Sequence, residues 1–289
     1  MVPCERKVHS VPKEQYLKPL IFHDGRLVRR PTELTCLCVF LWLPIGFLLA
    51  VLRICVWIFL PMNLALPLFA LLGVRIRVQS PASSSSSERL ALRDQKGILY
   101  VCTHKTVMDG MVLSMAVGKK TAVAIYSVSK FVEALTPMRT VRLVRDRVRD
   151  AEAMRKVLKN ENLTICPEGT TCREPYLLRF SSLFAELSDT IVPVGLNVHQ
   201  SLFHGSTARG NKIMDPLFFF MNPSPMYTVN ILKPLTKEES CASGRSAFEV
   251  ANYVQMLLGL VMGYECTQFT RKHKYRILAG NDGIVSASN

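Results

Sequence analysis

The chain has 289 residues, which is enough for one substantial core or for one domain with an appendage. Hydrophobic residues make up 49% of it and the mean hydropathy is positive, which is high for a soluble protein and points to a membrane. Lys and Arg outnumber Asp and Glu by 36 to 22, and the resulting charge of +14 favours an anionic partner. Nucleic acid fits poorly, because no helix-turn-helix, zinc-finger or RNA-binding signature accompanies the charge.

The N-terminus and the cysteines bear on the cell compartment. Residues 1–33 form a polar, basic segment, and Met1–Arg30 lacks the charged-then-apolar pattern of a signal peptide, so no cleaved secretory signal is expected. The nine cysteines show no metal-ligand spacing. We therefore expect reduced, buried thiols in a domain that faces the cytosol.

Residues 34–78 are predicted to form a membrane-embedded helical hairpin. Leu34–Leu52 and Ile54–Gly73 contain no charged residue, and Arg53 alone separates them. About 20 apolar residues span a bilayer, so two spans or a shallow hairpin would fit. Arginines precede and follow the segment, which favours a hairpin with both ends in the cytosol. A buried hydrophobic helix pair is the alternative. Three prolines favour kinked, shallow insertion over two straight crossings: Pro44, Pro61 and Pro67.

An α/β layered sheet is predicted for residues 98–289, after a Ser-rich linker at residues 79–97. Strand and helix patterns alternate there, which is typical of this class. The predicted strands are Ile98–Cys102, Thr121–Val128, Thr140–Val144, Leu163–Cys166, Ile191–Val198 and Tyr227–Leu232. The predicted helices end at Val117 and Leu158, lie near Phe131–Leu135, and cover Ala247–Met262. No G-x-G-x-x-G or P-loop sequence predicts a nucleotide cofactor.

The first candidate site motif is His104–Asp109, directly after a predicted buried strand. A histidine can remove a proton from a hydroxyl near neutral pH, and a carboxylate on its other ring nitrogen fixes the tautomer. On one continuous helix this spacing would separate the side chains by about 140°. The pair therefore requires His104 at the strand end and Asp109 in the first turn of the next helix. A polar cap on a strand–helix junction is the alternative reading.

Two further stretches extend the candidate site. Glu168, Gly169 and Thr170 follow the strand Leu163–Cys166, and a carboxylate, a flexible glycine and a hydroxyl there suggest a loop that closely approaches a polar ligand. In Arg139–Arg147 arginines alternate with apolar residues at strand period. The guanidinium groups could bind an anionic substrate, or they could protect an edge strand against pairing.

The order and spacing of these motifs resemble those of land-plant, membrane-bound glycerol-3-phosphate acyltransferases of the sn-2 type, within the wider glycerolipid acyltransferase superfamily. The resemblance extends from Phe22–Arg30 to Tyr264–Lys272. Arg139, Arg142 and Cys166 depart from the wider superfamily and follow the plant-type pattern. Four stretches match the four family signatures in order: His104–Asp109, Arg139–Arg145, Cys166–Arg173 and Ile191–Val194.

This resemblance implies a glycerolipid acyltransferase fold, a mixed sheet flanked by helices, that transfers an acyl group from acyl-CoA to glycerol 3-phosphate with no metal or organic cofactor. It implies His104 as the base and Asp109 as its orienting partner. It also implies attack by the sn-2 hydroxyl, a role in cutin, suberin or related surface lipids, and an endoplasmic reticulum location. By the same resemblance the phosphate is held by Lys105, Arg145 and Arg173, and the acceptor pocket is shaped by Glu168, Gly169 and Thr170.

Two other functions stay open from the sequence. A lysophosphatidate acyltransferase would use the same pair on a bulkier acceptor, and the plant-type stretch Arg139–Arg147 argues against it. A truncated, inactive, membrane-anchored lipid-binding protein would keep the fold without turnover, and the intact motifs argue against that. Plant members usually carry an upstream haloacid-dehalogenase-like domain that removes the product phosphate in some of them. Nothing of that kind precedes Leu34, so lysophosphatidate is the expected product.

Overall fold

The computed structural model describes residues 21–22, 32–79, 95–126, 133, 138–188, 190–206, 208 and 212–281. Most of the basic segment 1–33 and of the Ser-rich linker 79–97 lies outside the described residues. The helix predicted near Phe131–Leu135 also lies outside them, apart from Glu133.

A mixed sheet of seven strands is the centre of the described fold. The strands of the described residues are β1 (Ile21–Phe22), β2 (Arg75–Gln79), β3 (Leu99–Cys102), β4 (Ala122–Ile125), β5 (Thr140–Arg142), β6 (Leu163–Ile165), β7 (Tyr176–Leu177), β8 (Ile191–His199), β9 (Phe203–His204), β10 (Met226–Ile231) and β11 (Glu265–Cys266). The sheet order is β2-β10-β8-β3-β6-β4-β5. Strands β3, β4, β5, β6 and β8 are parallel, whereas β10 is antiparallel to β8 and parallel to β2. The predicted mixed sheet is confirmed.

Helices cover both faces of this sheet. They are α1 (Glu33–Phe59), α2 (Met62–Leu71), α3 (Asp109–Val117), α4 (Arg147–Leu158), α5 (Asp215–Met221), α6 (Ala247–Met262) and α7 (Arg271–Ala279). Leu99 and Val101 of β3 pack into a core shared with α4 and α6. Tyr100 and Cys102 point to the opposite core, which α1, α2, α3 and α5 complete. This alternation along one strand divides the fold into three layers.

Local sequence signals explain several helix boundaries. The Asp146 side chain accepts hydrogen bonds from the backbone N–H groups of Val148 and Arg149, both at 3.0 Å, and so starts α4. Ser246 and Glu249 form a reciprocal capping box at the start of α6. These caps satisfy backbone donors that a helix cannot pair internally.

The apolar segment contains two helices of unequal length. The first, α1, has 27 residues and continues through Arg53, and the chain turns only at Pro61. The second, α2, has 10 residues, well short of the ~20 that cross a bilayer. By length and composition α1 is the helix of the described residues that could cross a membrane, and 11% of its most apolar 18-residue window is buried.

Two polar side chains attach α1 to the α/β body. The indole Nε1 of Trp42 donates to the backbone oxygen of Met221 at 2.8 Å. Arg53 is 0% exposed, and its guanidinium donates to backbone oxygens of α5 and of two loops. Its acceptors are Leu72 O at 3.1 Å from Nε, Asn222 O at 2.7 Å, Pro223 O at 2.9 Å, and Phe220 O.

The predicted boundary between the hairpin and the linker falls within a strand of the main sheet. Residues Arg75–Gln79, assigned by sequence to the end of the hairpin and the start of the linker, form strand β2 of the main sheet. Helix α1 packs on α5, and the two share one buried core. The hairpin segment and the acyltransferase segment therefore meet within one sheet and one core among the described residues.

Candidate active site

The His104–Asp109 pair forms as its spacing requires. His104 follows the end of β3, and Asp109 is the first residue of α3. The Nδ1 atom of His104 lies 2.9 Å from Oδ2 of Asp109. The Asp109 side chain is 1% exposed, whereas that of His104 is 24% exposed. A buried carboxylate thus supports a histidine that solvent or substrate can reach.

Several donors surround the Asp109 carboxylate in addition to His104. Oδ2 accepts from the backbone N–H of Lys105 at 2.6 Å, and both oxygens accept from the N–H of Thr106 at 3.1 Å. Oδ1 accepts from the hydroxyl of Tyr227 at 2.8 Å. The Tyr227 oxygen also lies 2.5 Å from Thr106 Oγ1. The carboxylate is held in one orientation by the turn itself and by β10.

Sequence reasoning missed Tyr227. It lies 118 positions beyond Asp109, on a predicted strand that carries no motif of polar residues. It is 0% exposed, and burial, followed by the neighbouring charge of Asp109, raises its pKa well above the ordinary value. Tyr227 therefore stays protonated and keeps donating to Asp109 at neutral pH.

This hydrogen-bond network fixes the tautomer of His104. A carboxylate only accepts hydrogen bonds, so Nδ1 of His104 carries the hydrogen of the His104–Asp109 bond. Nε2 is then the ring nitrogen with the free lone pair. The partly exposed histidine can accept a proton from a bound hydroxyl through this atom.

Glu168 and Lys105 lie behind the histidine and do not line its cavity. Glu168 is 4% exposed and accepts from the N–H groups of His104 at 2.8 Å and Leu178 at 3.0 Å. Burial raises the pKa of Glu168, and nearby Lys105 opposes the effect. Lys105 is 2% exposed, donates to the backbone oxygen of Glu174 at 3.2 Å, and its Nζ lies 4.2 Å from the centre of the Tyr264 ring. Burial lowers its pKa.

These positions favour a supporting role for both residues. Glu168 links the loop after β6 to the backbone of His104, so it holds the two motif loops together. Lys105, expected to hold the phosphate, has its ammonium group inside the protein, where a substrate anion would first have to displace packed side chains. The sequence alone could not foresee this, because the residue after a strand end can point either way.

A cavity of about 150 Å³ opens beside His104. Of the eight predicted site residues, five line it: His104, Asp109, Arg145, Gly169 and Thr170. It is also lined by residues that the motif analysis did not select, among them Thr171, Asp215, Arg271 and Tyr275. The cavity therefore combines the candidate base, two guanidinium groups and hydroxyl groups.

Arg145 reaches this cavity from an unusual backbone conformation. Its φ is +67°, the one positive φ of a non-glycine residue in the described part of the chain. Asp150 of α4 stabilises the turn, because its carboxylate accepts from the N–H groups of Val144 at 2.8 Å and Arg145 at 3.0 Å. The guanidinium carbon lies 5.3 Å from the centre of the Tyr126 ring. Strain of this kind is common at functional sites.

The other arginines of the Arg139–Arg147 stretch point elsewhere. Arg139 pairs with Glu161 at 2.6 Å, and Arg142 pairs with Glu133. Strand β5, which carries Arg142, is at the edge of the sheet. The edge-strand interpretation therefore holds for these two residues.

A second cavity, of about 310 Å³, shares Thr171 as a lining residue with the first. Arg173 lines this cavity and not the one beside His104. Its walls combine apolar side chains such as Phe269 and Ile277 with basic groups such as Lys274. Arg173 and Arg145, which were expected to share a phosphate, thus line different cavities.

One group of potential metal ligands occurs among the described residues. Ligand atoms of His104, Asp109 and Cys166 lie within 4.8 Å of one another. Both oxygens of Asp109 already accept hydrogen bonds. Burial raises the pKa of the Cys166 thiol well above its ordinary value, and a protonated thiol is a poor metal ligand. The donor set suits the histidine–carboxylate pair better than a metal.

Comparisons with known proteins show which proteins this chain is similar to. Residues 83–197, which include all four motifs, match the family described as Acyltransferase. Glycerol-3-phosphate acyltransferase 1 of Arabidopsis thaliana is 52% identical over 279 residues, 96% of this chain and 47% of that protein. Glycerol-3-phosphate acyltransferase RAM2 of Petunia hybrida is 50% identical over 96% of this chain and 58% of that protein. The solved structure of the 1-acyl-sn-glycerophosphate acyltransferase PlsC of Thermotoga maritima aligns with a TM-score of 0.45 at 16% identity, over 70% of this chain and 75% of that one.

The match over residues 83–197 identifies an acyltransferase domain within this chain. The chain is a homologue of the plant glycerol-3-phosphate acyltransferases. It spans about half the length of the curated relatives it matches.

Proposed function

We propose that this protein transfers an acyl group from acyl-CoA to a hydroxyl of glycerol 3-phosphate, which gives lysophosphatidate and free CoA. The observation that carries the proposal is the 2.9 Å hydrogen bond between His104 Nδ1 and Asp109 Oδ2, which leaves Nε2 without this bond in a histidine that lines the same cavity as Arg145. The similarity to plant glycerol-3-phosphate acyltransferases supports glycerol 3-phosphate as the acceptor.

The reaction proceeds by direct transfer. Nε2 of His104 takes the proton of the acceptor hydroxyl while its oxygen attacks the thioester carbonyl. The new C–O bond forms, the C–S bond breaks, and the CoA sulfur leaves with the electron pair and receives the proton from His104. Asp109 stabilises the imidazolium that forms between these two steps, and its own position is held by Tyr227 and by two backbone N–H groups.

The finer details follow the family resemblance. The attacking hydroxyl is the sn-2 hydroxyl, and the product feeds cutin, suberin or related surface lipids. Arg145 binds the acceptor phosphate, while Gly169 and Thr170 shape the acceptor pocket, which fits their place on the cavity wall. Glu168 supports the pocket from behind through the backbone of His104.

Membrane attachment is the second part of the proposal. Helix α1 exposes large apolar side chains along its length, for example Leu34 at 70%, Phe40 at 72% and Leu48 at 69%. A core helix of a soluble protein would bury such residues. Helix α2 is too short to cross a bilayer alone, which favours shallow insertion of the pair. We place the chain in the endoplasmic reticulum membrane with its catalytic part facing the cytosol.

The test is acyl transfer by yeast microsomes that carry this 289-residue chain. Labelled acyl-CoA is offered with glycerol 3-phosphate and with lysophosphatidate side by side, and His104→Ala serves as the inactive variant. We expect transfer to glycerol 3-phosphate that disappears in the variant. The product is identified by mass, and its regiochemistry by NMR.

Each other outcome selects a different function. Preference for lysophosphatidate would replace the acceptor and keep the mechanism. No transfer to either acceptor by membranes that hold the protein would contradict the enzyme and favour a lipid-binding protein.

A further inference from the structure

The cavity beside His104 has a wall that the four family signatures do not supply. Arg271 and Tyr275, both on the C-terminal helix α7, line it together with Arg145. Tyr275 is 6% exposed, and the guanidinium carbon of Arg271 lies 5.8 Å from the centre of its ring. Two arginines more than 120 positions apart thus face one small cavity that also holds the candidate base.

Helix α7 is fastened directly to the loop of the third motif. Nζ of Lys274 donates to Thr170 Oγ1 and to Thr171 Oγ1, both at 3.1 Å, and also to the backbone oxygen of Thr171. Lys274 lies three residues after Arg271, so both project from adjacent turns of the helix. The contact fixes where Arg271 stands relative to the loop that lines the cavity.

The chemistry of this wall suits a phosphate. A guanidinium group is always charged and presents paired N–H donors that match phosphate oxygens. Asp215, buried at 2%, contributes a carboxylate to the same cavity, and a carboxylate suits the neutral hydroxyl of a glycerol unit. Arg173, the other arginine expected at the phosphate, lines the second cavity.

We propose that Arg271 and Arg145 together bind the phosphate of the acceptor, so that helix α7 completes the acceptor site and selects a phosphorylated glycerol. This inference rests on the proposed function for its substrate. A phosphate could also belong to CoA, and the experiment separates the two sources. Arg271 is a binding residue, and the chemical step stays with His104.

The test uses the full chain, purified in detergent, with Arg271→Ala, Arg271→Lys and Arg276→Ala. Arg276 is an exposed arginine of the same helix that lines neither cavity, so its variant removes the same charge at a neutral place. Steady-state rates are measured against glycerol 3-phosphate and against acyl-CoA. Binding of glycerol 3-phosphate alone is measured by calorimetry, which does not depend on turnover.

We expect Arg271→Ala to raise the KM for glycerol 3-phosphate and its Kd about tenfold or more, because a charge-assisted hydrogen bond is lost. The KM for acyl-CoA and the kcat at saturating acceptor should change less than twofold. Arg271→Lys should raise the acceptor KM only about threefold, since it keeps the charge and loses the paired geometry. Arg276→Ala should match the unchanged protein. If Arg271→Ala fails to fold, Arg271→Lys carries the test.

Three results would overturn the inference. The first is an acceptor KM and Kd that do not change in either Arg271 variant. The second is a rise in the KM for acyl-CoA instead, which would assign this wall to the donor. The third is an equal loss in Arg276→Ala. If the chain binds glycerol 3-phosphate without turning it over, the proposed function fails while the Kd still tests Arg271. If it does not bind glycerol 3-phosphate, both proposals fail.

Discussion

Arg53 and Asp109 are both charged side chains that the fold removes from water. Arg53 is 0% exposed and donates to backbone oxygens of α5 and its flanking loops, while Asp109 is 1% exposed and accepts from backbone N–H groups, Tyr227 and His104. Each is saturated with hydrogen bonds, as a buried charge requires.

The two sites differ in what their partners can do. All partners of Arg53 are main-chain oxygens, and it lines neither of the two cavities described above. Among the partners of Asp109, in contrast, His104 has a side chain that remains 24% exposed and lines a cavity. A buried charge whose hydrogen bonds all go to main-chain groups can only stabilise the fold. A buried charge can take part in catalysis when one of its partners is ionisable and still accessible to substrate.

Replacing His104 should have the largest effect, a loss of activity with little loss of stability. His104→Ala is expected to lower acyl transfer about 100-fold to 10,000-fold, because general-base catalysis is lost. The melting temperature should change little, since the side chain is partly exposed. Rates and thermal unfolding of the purified chain check this.

His199→Ala is the matched control, because His199 ends β8 and lines neither cavity. A variant without His104 that kept more than a tenth of the activity would remove His104 from the chemical step.

Replacing Arg53 should produce the opposite pattern. Arg53→Met leaves the oxygens of Leu72, Asn222 and Pro223 without their donor, and each unsatisfied buried group costs about 1–3 kcal/mol. We expect the free energy of unfolding to fall by about 3 kcal/mol or more. The KM for glycerol 3-phosphate of the folded fraction should stay the same.

Denaturant unfolding in detergent measures the stability loss. Arg77→Met, an exposed arginine of β2, controls for the loss of charge and should be nearly neutral. An equal effect of both variants would mean that the Arg53 contacts add nothing.

Replacing Tyr227 tests whether one side chain contributes both to the stability of the fold and to catalysis. Tyr227→Phe removes one donor from Asp109 and leaves Thr106 Oγ1 without that contact. We expect a loss of about 1–2 kcal/mol in stability and a fall in kcat of about tenfold, because Asp109 is held less firmly.

Tyr253→Phe is the control, since the Tyr253 hydroxyl bonds Glu239 far from the cavities. If kcat fell equally in both variants, Tyr227 would not be acting through Asp109.

The smallest expected effect is a loss of folding stability at alkaline pH, caused by the burial of Tyr227. Burial raises its pKa in the folded state, so the stability that the neutral phenol contributes is complete below the unfolded pKa of about 10. It is lost as the pH rises from there toward the folded pKa, at up to about 1.4 kcal/mol per pH unit.

Between pH 9 and pH 11 the free energy of unfolding should therefore decrease more steeply with pH for the unchanged protein than for Tyr227→Phe. Parallel curves would show that Tyr227 does not titrate differently in the folded and unfolded chains. The difference between the two proteins isolates Tyr227 from other buried tyrosines such as Tyr100, whose pKa burial raises to about 12.

The sequence predicted the parts of the site that depend on short segments. The strand ends at Cys102 and Ile165 and the helix start at Asp109 follow from apolar runs that give way to polar residues. Parallel neighbours β3 and β6 deliver their following loops to the same edge of the sheet, so Glu168 could be expected near His104.

Other predictions changed because side-chain direction is set by packing. Lys105 follows His104 directly, but its ammonium group is buried under the Tyr264 ring. Arg173 turned to a second cavity, and Arg53 is inside α1 and not between two equal helices. The motif analysis did not select Arg271, because the four family signatures end at Val194.

The sequence by itself determined the apolar N-terminal segment, the alternation of strands and helices and the spacing of the histidine–aspartate pair, because each depends on short stretches of neighbouring residues. The acyltransferase fold with its mixed sheet came from the resemblance of four ordered motifs to a known family. The tertiary structure decided that Tyr227 supports Asp109, that Glu168 supports the backbone of His104, and that α7 closes the cavity. These contacts join positions about 60 to 170 residues apart. They depend on strand register and on the packing of whole helices, which no local pattern specifies.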